Sequence, residues 1–533
     1  MKSMKKLVTL LLSLVMLCAL ALPAMAADAT YSITINGAKG HKYTAYQVFA
    51  GVYYKDNSTG KEYLSDVKWG DDVNDATILT ELQKSAIIKA DFDGKTSAED
   101  VAYVLQGYAN KSEKLDEFAR IVGKNLKTGV DGKSGTASAE NNTAIISGLT
   151  AGYYFVKDTG TIGAGEIATK FLVKVVGNAT VDIKATAPTI KKEIVNGDAG
   201  NHTSVNIGDQ VEFKLTAKVP DMANFDTYTF TISDTLSKGL TFDETSVVVN
   251  IGSTTLKAGT NYTLTKPTAP DTDNTFKIDF TKAQLGDNVK NTTGATIVVT
   301  YKATLNSNAL TTDKESNKAK LEYSNNPSSS EDKGTVTTPD VPVYIYDFDI
   351  DIDKYDDTDN KDKDNANKDK SKKLASAEFI LYKEVTKNEK KTTYYYKWDD
   401  SAKEVKWVTD KKDATPKTTT AAGKASFQGI AAGSYFLEET KAPDGYNKLK
   451  APVSVTITAE YDKDGKLTGT SANANTKAEG QYIQKVEVPN KAGAVLPSTG
   501  GIGTTIFYVL GSILVLGAAV LLIAKKRMNG QDR

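Results

Sequence analysis

Apolar and polar residues alternate in short runs along most of the chain. These runs last about five to ten residues, and glycine, asparagine and aspartate separate them, as expected of strands joined by turns. Helical spacing of apolar residues occurs only within residues 77–124, at Leu79, Leu82, Ala86, Val101, Val104 and Leu105. The pattern therefore predicts an all-β chain of tandem β-sandwich domains, with some helix inserted in the first domain.

Two similar segments suggest that one kind of module occurs near both ends of the chain. Residues 148–155 read GLTAGYYF and residues 429–436 read GIAAGSYF. Proline-containing breaks near Pro188 and at residues 339–342 place module boundaries near Thr186 and Tyr346. We therefore predict an N-terminal module (residues 27–185), a middle module (186–346) and a C-terminal module (347–493).

The first residues have the pattern of a secretory signal peptide. Lysines precede an apolar run over residues 7–22, and Ala24 and Ala26 provide the small residues that a signal peptidase recognises at its cleavage site. We expect cleavage after Ala26, which removes residues 1–26 together with Cys18. The mature chain is then free of cysteine in a compartment where disulfides are permitted.

The last residues combine a short motif with a membrane span. An uncharged apolar stretch over residues 504–524 is long enough to cross a bilayer, and the basic tail at 525–533 marks its cytoplasmic side. The five residues before this stretch resemble the LPXTG sorting signal of Gram-positive surface proteins: Leu496, Pro497, Ser498, Thr499 and Gly500. That resemblance implies that a sortase cuts between Thr499 and Gly500 and transfers the Thr499 carboxyl group to an amine.

Length and composition exclude several classes of function. The 533 residues suffice for about three or four domains. Lys and Arg (66) balance Asp and Glu (66), so no basic field exists to hold nucleic acid. The histidines are His41 and His202, and with one cysteine they provide no Cys/His nucleophile pair, cysteine-rich zinc site or disulfide framework. We expect no cofactor and no metal ion.

Residues 356–373 alternate aspartate, asparagine and lysine. Their aspartates could suggest a calcium loop, but an EF-hand needs a glycine at its sixth position and a later glutamate, and neither fits. We interpret the segment as a solvated loop, with calcium binding as the alternative.

Polar residues on the inward faces of predicted strands need an explanation. Because residues two apart share a face of a strand, Lys192 lies inward between two isoleucines, and Lys354 continues the apolar face of residues 348–352. The same parity turns acids and asparagines inward: Asp234, Glu439, Asn325 and Asn490. A buried, unpaired ammonium is costly, and each later module has one lysine, one acid and one asparagine in this order.

An intramolecular isopeptide bond between a lysine and an asparagine, formed with the help of an acid, would explain these three buried residue types. An apolar pocket lowers the pKa of the lysine, which gives a neutral amine, and raises the pKa of the acid, which keeps it protonated. The amine attacks the amide carbon, the acid relays protons and ammonia leaves. The acid acts in a single turnover, so the protein is not predicted to be an enzyme.

These residues resemble those of sortase-assembled backbone pilins, the major shaft subunits of Gram-positive fimbriae. Residues 433–446 are similar to the "E-box" segment of a collagen-adhesin B-type domain, which implies a Lys354–Asn490 bond with Glu439 as the acid. Residues 232–242 and 321–327 resemble the pilin middle domain, which implies Lys192–Asn325 with Asp234; Asn326 is the fallback. The implied fold is a tandem of immunoglobulin-like sandwiches of the collagen-adhesin A and B types.

The N-terminal module differs from the other two. Asp158 lies six residues after Gly152, just as Glu439 lies six residues after Gly433. The opening strand at residues 30–35 has no lysine, however, so no internal bond is expected in this module. Residues 181–188 resemble the family's pilin motif, whose lysine receives the next subunit, although the Tyr-Pro that usually precedes this lysine is absent. Lys184 is therefore the predicted acceptor of the next subunit, and Lys174 is the alternative.

The resemblance implies a secreted fimbrial shaft subunit that spans the membrane only as a precursor. Its implied partners are pilin-polymerising and wall-anchoring sortases, identical subunits, a minor tip pilin and peptidoglycan. The alternative is a wall-anchored adhesin or minor pilin that does not polymerise. A wall-bound hydrolase is disfavoured because no catalytic triad or metal constellation is evident in the sequence.

Overall fold

The computed structural model describes most of residues 30–528. The segments outside the description are 1–29, 111, 139, 141, 164, 184–186, 196, 198–199, 223–224, 226, 267–274, 282–283, 286–292, 313, 328–333, 359–368, 471–481, 493–501 and 529–533. The signal peptide, Lys184, the sorting motif at 496–500 and most of the Asp-rich loop therefore lie outside the described residues. The described part is mostly β, in tandem sandwiches, as predicted.

In the described part of residues 31–182, four consecutive helices lie between the third and fourth of eight strands. Their bounds are β1 (Tyr31–Asn36), β2 (Lys42–Lys55), β3 (Glu62–Trp69), α1 (Asp75–Lys84), α2 (Lys89–Phe92), α3 (Ala98–Leu105), α4 (Glu113–Lys124), β4 (Lys133–Thr136), β5 (Thr143–Leu149), β6 (Gly152–Asp158), β7 (Lys170–Val175) and β8 (Ala179–Asp182). One sheet has the order β5-β1-β8, and the other is β3-β2-β6-β7 with β4 on β2.

The helices between β3 and β4 confirm the helical spacing predicted for residues 77–124. Ser97 begins α3 with a capping box to Asp100, and the Ser112 side chain accepts a hydrogen bond from the Leu115 amide at the start of α4. The apolar faces of these helices pack on Phe49 and Phe155 of the sheet. This helical insertion thus has a core of its own beside the sandwich.

Residues 190–346 form two further sheets. Their strands are β9 (Ile190–Ile194), β10 (His202–Ser204), β11 (Gln210–Lys218), β12 (Phe230–Leu236), β13 (Leu240–Ile251), β14 (Thr254–Thr255), β15 (Thr263–Thr265), β16 (Phe276–Phe280), β17 (Thr296–Leu305), β18 (Glu315–Ser324), β19 (Thr335–Thr337) and β20 (Val341–Tyr346), with a 3₁₀ turn at Ser307–Thr311. The sheet orders are β14-β13-β17-β11-β9 and β10-β20-β18-β12-β16-β15, with β19 on β18.

Residues 348–490 form the last sandwich. Its strands are β21 (Phe348–Asp356), β22 (Glu378–Lys387), β23 (Lys390–Asp399), β24 (Glu404–Val408), β25 (Lys417–Thr418), β26 (Lys424–Ile430), β27 (Gly433–Lys441), β28 (Val453–Ile457), β29 (Ala459–Tyr461), β30 (Leu467–Thr470) and β31 (Ile483–Asn490), with a 3₁₀ turn at Lys411–Asp413. The sheets are β26-β21-β31, β24-β23-β22-β27-β28 with β25 on β22, and the hairpin β29-β30. The first strand, β21, and the last, β31, are parallel neighbours.

The two similar glycine–tyrosine segments adopt the same local structure. Gly148 and Gly429 have positive φ angles of 77° and 70°, a conformation that glycine adopts without strain. The Tyr154 hydroxyl donates to the Thr150 carbonyl at 3.0 Å, and the Tyr435 hydroxyl donates to the Ala431 carbonyl at 2.7 Å. The sequence repeat thus corresponds to a repeated corner before β6 and β27.

Direct contacts join the later two modules. The Ile207 amide donates to the Gly429 carbonyl at 2.9 Å, and the Val405 amide donates to the Ile207 carbonyl at 2.8 Å. The Asn206 side-chain oxygen accepts from the Ala431 amide at 3.1 Å. A buried segment of the middle module is thereby held in the C-terminal sandwich.

A long apolar helix, α5 (Ile502–Met528), follows the β modules. Within Ile506–Met528, its most apolar 18 residues have a mean hydropathy of 2.7, so the helix is long and apolar enough to cross a membrane. Lys525, Lys526 and Arg527 lie in its last turn. The helix extends beyond the predicted span of residues 504–524 because it continues into the basic tail.

Candidate functional site

The C-terminal module buries the predicted lysine, acid and asparagine together. Lys354 on β21, Glu439 on β27 and Asn490 at the end of β31 have at most 2% of their surface exposed. Alternation along β21 turns Lys354 inward with Ile350 and Ile352, which is why a charged residue enters the core. The parallel pairing of β21 with β31 then brings the end of β31 beside the lysine.

Hydrogen bonds connect all three side chains in this cluster. The Lys354 Nζ donates to the Asn490 side-chain oxygen, and it lies 3.3 Å from Glu439 Oε1. The Asn490 Nδ2 donates to the same Glu439 oxygen at 3.0 Å, while the Leu449 amide donates to the other at 2.7 Å. The acid therefore touches both the amine and the nitrogen that would leave as ammonia.

Burial changes the chemistry of Lys354. Removal from water disfavours the ammonium and lowers the pKa of Lys354 to about 8, although nearby Glu439 opposes this shift. The Phe379 ring lies 5.7 Å from Nζ and forms one wall of the pocket. A neutral amine is therefore accessible near neutral pH, as nucleophilic attack on an amide requires.

The middle module brings Lys192 and Asp234 together in the same way. Lys192 on β9 and Asp234 on β12 face each other across the two sheets, and both side chains are fully buried. The Lys192 Nζ donates to Asp234 Oδ2 at 2.5 Å. Burial lowers the pKa of Lys192 to about 8 and raises the pKa of Asp234, while the mutual attraction of the two groups opposes both shifts.

The structure does not bring Asn325 to this pair, in contrast to the sequence prediction. Asn325 follows the end of β18, and its carbonyl accepts from the Ala168 amide of the N-terminal module at 2.8 Å. Asp234 lies opposite Ala319 on β18, which places Asn317, rather than Asn325, beside the pair. Eight residues of strand from Asn317 to Asn325 span about 27 Å.

Asn317 is the amide of the middle cluster. It is fully buried on β18, and its Nδ2 donates to the Tyr301 hydroxyl at 2.7 Å. Asn326, the fallback in the prediction, follows Asn325 beyond the end of β18 and adjoins Gly334. Sequence reasoning missed Asn317, although it shares the inward face of Ala319, Leu321 and Tyr323.

Tyr301 on β17 is the second residue that sequence reasoning missed. Its hydroxyl accepts from Lys192 Nζ at 2.7 Å and donates to Asp234 Oδ2 at 2.9 Å. Its ring packs against Phe213, Phe242 and Phe276. A tyrosine on an alternating strand is usually a core residue, so only the structure reveals this polar role.

The N-terminal module places a histidine beside its acid. Asp158, at the end of β6, is buried and pairs with His41 Nδ1 through one oxygen. Its other oxygen accepts from the Gly160 amide at 2.9 Å. Lys174, the alternative acceptor lysine, is exposed on β7 and donates to the Glu62 carbonyl at 3.4 Å.

The described residues contain no group of three or more His, Cys, Asp or Glu side chains that could hold a metal ion. At the start of the Asp-rich loop, Asp356 pairs with Lys372 and accepts from the Tyr446 hydroxyl at 2.9 Å. Residues 359–368 of that loop lie outside the description. Calcium binding there stays an untested alternative.

Comparison with protein families connects these clusters to a known class. Residues 207–327 match a family described as Gram-positive pilin backbone subunit 2, Cna-B-like domain. Residues 360–473 match a prealbumin-like fold domain, and residues 488–530 match the LPXTG cell wall anchor motif. The chain belongs to the Gram-positive backbone pilins. Such pilins are structural proteins rather than enzymes, and this one has the cell-wall anchor and the apolar helix of a sorting signal.

Individual relatives agree with this assignment. The trypsin-resistant surface T6 protein of Streptococcus pyogenes serotype M6 is 25% identical over 421 residues, which cover 64% of this backbone pilin and 70% of the relative. Fimbrial subunit type 1 of Actinomyces viscosus is 35% identical over 95 residues, which cover 18% of this chain and 15% of that subunit.

A solved relative shares the fold. The T6 backbone pilin of serotype M6 Streptococcus pyogenes superposes with a TM-score of 0.54 at 19% identity, over 88% of this chain and 100% of that one. The shared fold agrees with the predicted tandem of sandwiches.

Proposed function

We propose that this backbone pilin forms the pilus shaft by covalent head-to-tail polymerisation. A sortase cleaves between Thr499 and Gly500 and joins the Thr499 carbonyl to the Lys184 amine of the next subunit, and Lys174 is the alternative acceptor. The chain is exported, held in the membrane by α5 until this cleavage, and finally attached to peptidoglycan by a wall-anchoring sortase. A minor tip pilin and identical subunits complete the assembly.

The mature subunit in this proposal has three modules, at residues 27–185, 186–346 and 347–493. The strands of each described sheet come from one of these ranges. A subunit of tandem modules with a C-terminal sorting motif and an acceptor lysine near the end of its first module suits linear stacking. This arrangement favours a shaft over a wall-anchored adhesin that does not polymerise.

Two intramolecular isopeptide bonds stabilise the shaft in this proposal. Lys192 joins Asn317 with Asp234 as the acid, and Lys354 joins Asn490 with Glu439 as the acid. The observation that carries the proposal is the burial of two lysine side chains, each with its amine in a hydrogen-bonded network with one acid and one asparagine. Burial of such groups without reaction would be costly.

Polymerisation is tested with a matched pair of lysine variants. Lys184→Arg keeps the charge but removes the amine nucleophile, so the high-mass ladder in cell-wall extracts should be lost on a denaturing gel while the monomer is still secreted. Lys174→Arg should leave the ladder intact. A ladder that persists in Lys184→Arg and is lost in Lys174→Arg would move the acceptor to Lys174. A single band in the unmodified strain would support the adhesin alternative.

The internal bonds are tested by mass spectrometry of the full-length chain. Each bond expels one ammonia, so two bonds make the chain lighter by two ammonias. Peptide mapping should recover linked peptides that contain Lys192 with Asn317 and Lys354 with Asn490. An unmodified mass would contradict both bonds, and a deficit of one ammonia would leave only the bond whose linked peptide is found.

A further inference from the structure

The acid contacts the asparagine side-chain amide directly in the C-terminal cluster but through a tyrosine hydroxyl in the middle cluster. In the C-terminal module, Glu439 Oε1 accepts directly from Asn490 Nδ2 at 3.0 Å. In the middle module, the Tyr301 hydroxyl stands between them: Asn317 Nδ2 donates to it at 2.7 Å, and it donates to Asp234 Oδ2 at 2.9 Å. Among the described residues, Asp234 Oδ1 has no hydrogen-bond partner.

We propose that the Tyr301 hydroxyl is a catalytic proton relay between Asp234 and the leaving nitrogen of Asn317. This inference rests on the proposed Lys192–Asn317 bond and adds a fourth reacting residue to the middle cluster. The hydroxyl contacts both reacting nitrogens, since Lys192 Nζ also donates to it at 2.7 Å. The C-terminal cluster needs no relay because its acid already contacts the amide nitrogen.

The relay balances in atoms and charge. Lys192 first gives one proton to Asp234, and its neutral Nζ attacks the side-chain carbonyl carbon of Asn317. Asp234 then gives this proton to the Tyr301 oxygen as the Tyr301 hydroxyl proton moves to Nδ2, which leaves as ammonia when its bond to carbon breaks. The attacking nitrogen then gives a second proton to Asp234. The tyrosine therefore ends as it began, and of the two protons that Lys192 loses, one leaves with ammonia and the other remains on Asp234, which ends as the neutral acid.

The surroundings of Tyr301 suit this role. Its ring is fixed between Phe213, Phe242 and Phe276, with centroid distances of 5.3, 5.7 and 4.9 Å. Burial raises the pKa of Tyr301 well above its ordinary value, so the hydroxyl keeps its proton at rest and can donate and accept at once. A phenylalanine would fill the same aromatic pocket without the hydroxyl.

The test follows cross-linking over time in full-length chains made by cell-free synthesis with detergent. Tyr301→Phe should slow the Lys192–Asn317 cross-link by about 100-fold or more, the usual contribution of a positioned proton transfer. Tyr228→Phe is the matched control, because Tyr228 is buried in the same module and its hydroxyl has no hydrogen-bond partner in the described part of the chain. The Lys354–Asn490 cross-link, read from the same digests, should form at an unchanged rate in both variants.

The outcomes separate the relay from the bond itself. A Tyr301→Phe chain that cross-links Lys192 to Asn317 at the unmodified rate overturns the relay and leaves the bond standing. An unmodified chain without this cross-link overturns the bond and the relay together. Resistance of the middle module to protease verifies that Tyr301→Phe folds.

A second variant covers the case in which Tyr301→Phe does not fold. 3-Fluorotyrosine at position 301 preserves the shape and the hydroxyl but makes the phenol more acidic. The relay predicts that the cross-link still forms, at a changed rate, because the phenol proton moves during the reaction. An unchanged rate would assign Tyr301 a packing role only and overturn the proposal.

Discussion

Replacement of Asn317 by alanine should remove the middle cross-link and markedly lower the stability of that module. The bond would close a loop from residue 192 to residue 317, and the loop-entropy relation used for disulfides gives about 5 kcal/mol for a loop of this size. For a module of this length, that loss corresponds to a fall in melting temperature of roughly 10–20 °C. The lysine and the acid remain as a buried pair, which limits further loss.

Asn325→Ala is the matched control for this prediction. Asn325 is also buried, but its contact with Ala168 uses the main-chain carbonyl, which alanine retains. The cross-link should therefore persist, and the stability should fall by only about 1 kcal/mol, the typical effect of a point substitution. Thermal unfolding followed by circular dichroism measures the stability, and peptide mapping measures the bond. A cross-link that survives Asn317→Ala or disappears in Asn325→Ala would refute the assignment.

Two further variants test the C-terminal module and its joint with the middle module, the contact between Ile207 and Gly429. Glu439→Ala should leave Lys354 and Asn490 unlinked, because it removes the acid that contacts both of their reacting nitrogens. The Lys192–Asn317 peptide should still be recovered, and a complete Lys354–Asn490 link would contradict the role of the acid. Gly429→Ala should loosen the joint to the middle module, because Gly429 has a φ of 70° and an added Cβ would lie 2.5 Å from Ile207. We expect a loss of about 1 kcal/mol or more and faster proteolysis at the joint, and an unchanged digestion pattern would count against this role of the glycine.

Strand parity predicted which side chains turn inward but not how strands align. Lys192, Lys354, Asp234 and Glu439 all face the core as their alternation requires. Asn317 in β18 and Asn325 just beyond its end have the same parity, and the register of β12 against β18 distinguishes them. That register pairs residues that lie more than eighty positions apart in the sequence, and local sequence patterns carry no information about such pairing.

The polar roles of Tyr301 and His41 could not be read from the sequence for a related reason. Tyr301 alternates with Val299 and Ala303 as any core residue of a strand would. His41 precedes β2, and its partner Asp158 ends β6 far along the chain. In the C-terminal module, strand parity and the similarity to the pilin family both predicted Asn490, and the parallel pairing of β21 with β31 brings it to Lys354.

The adjacency of β21 and β31 decides how the C-terminal module would respond to pulling. A bond between Lys354 and Asn490 would carry tension directly from the first strand to the last, so the chain between them would bear none of it. These 136 residues, extended at about 3.4 Å each, would otherwise lengthen the subunit by about 460 Å under load. A shaft of such subunits would behave as a nearly inextensible tether, whose length is set by the number of subunits and not by the force on it.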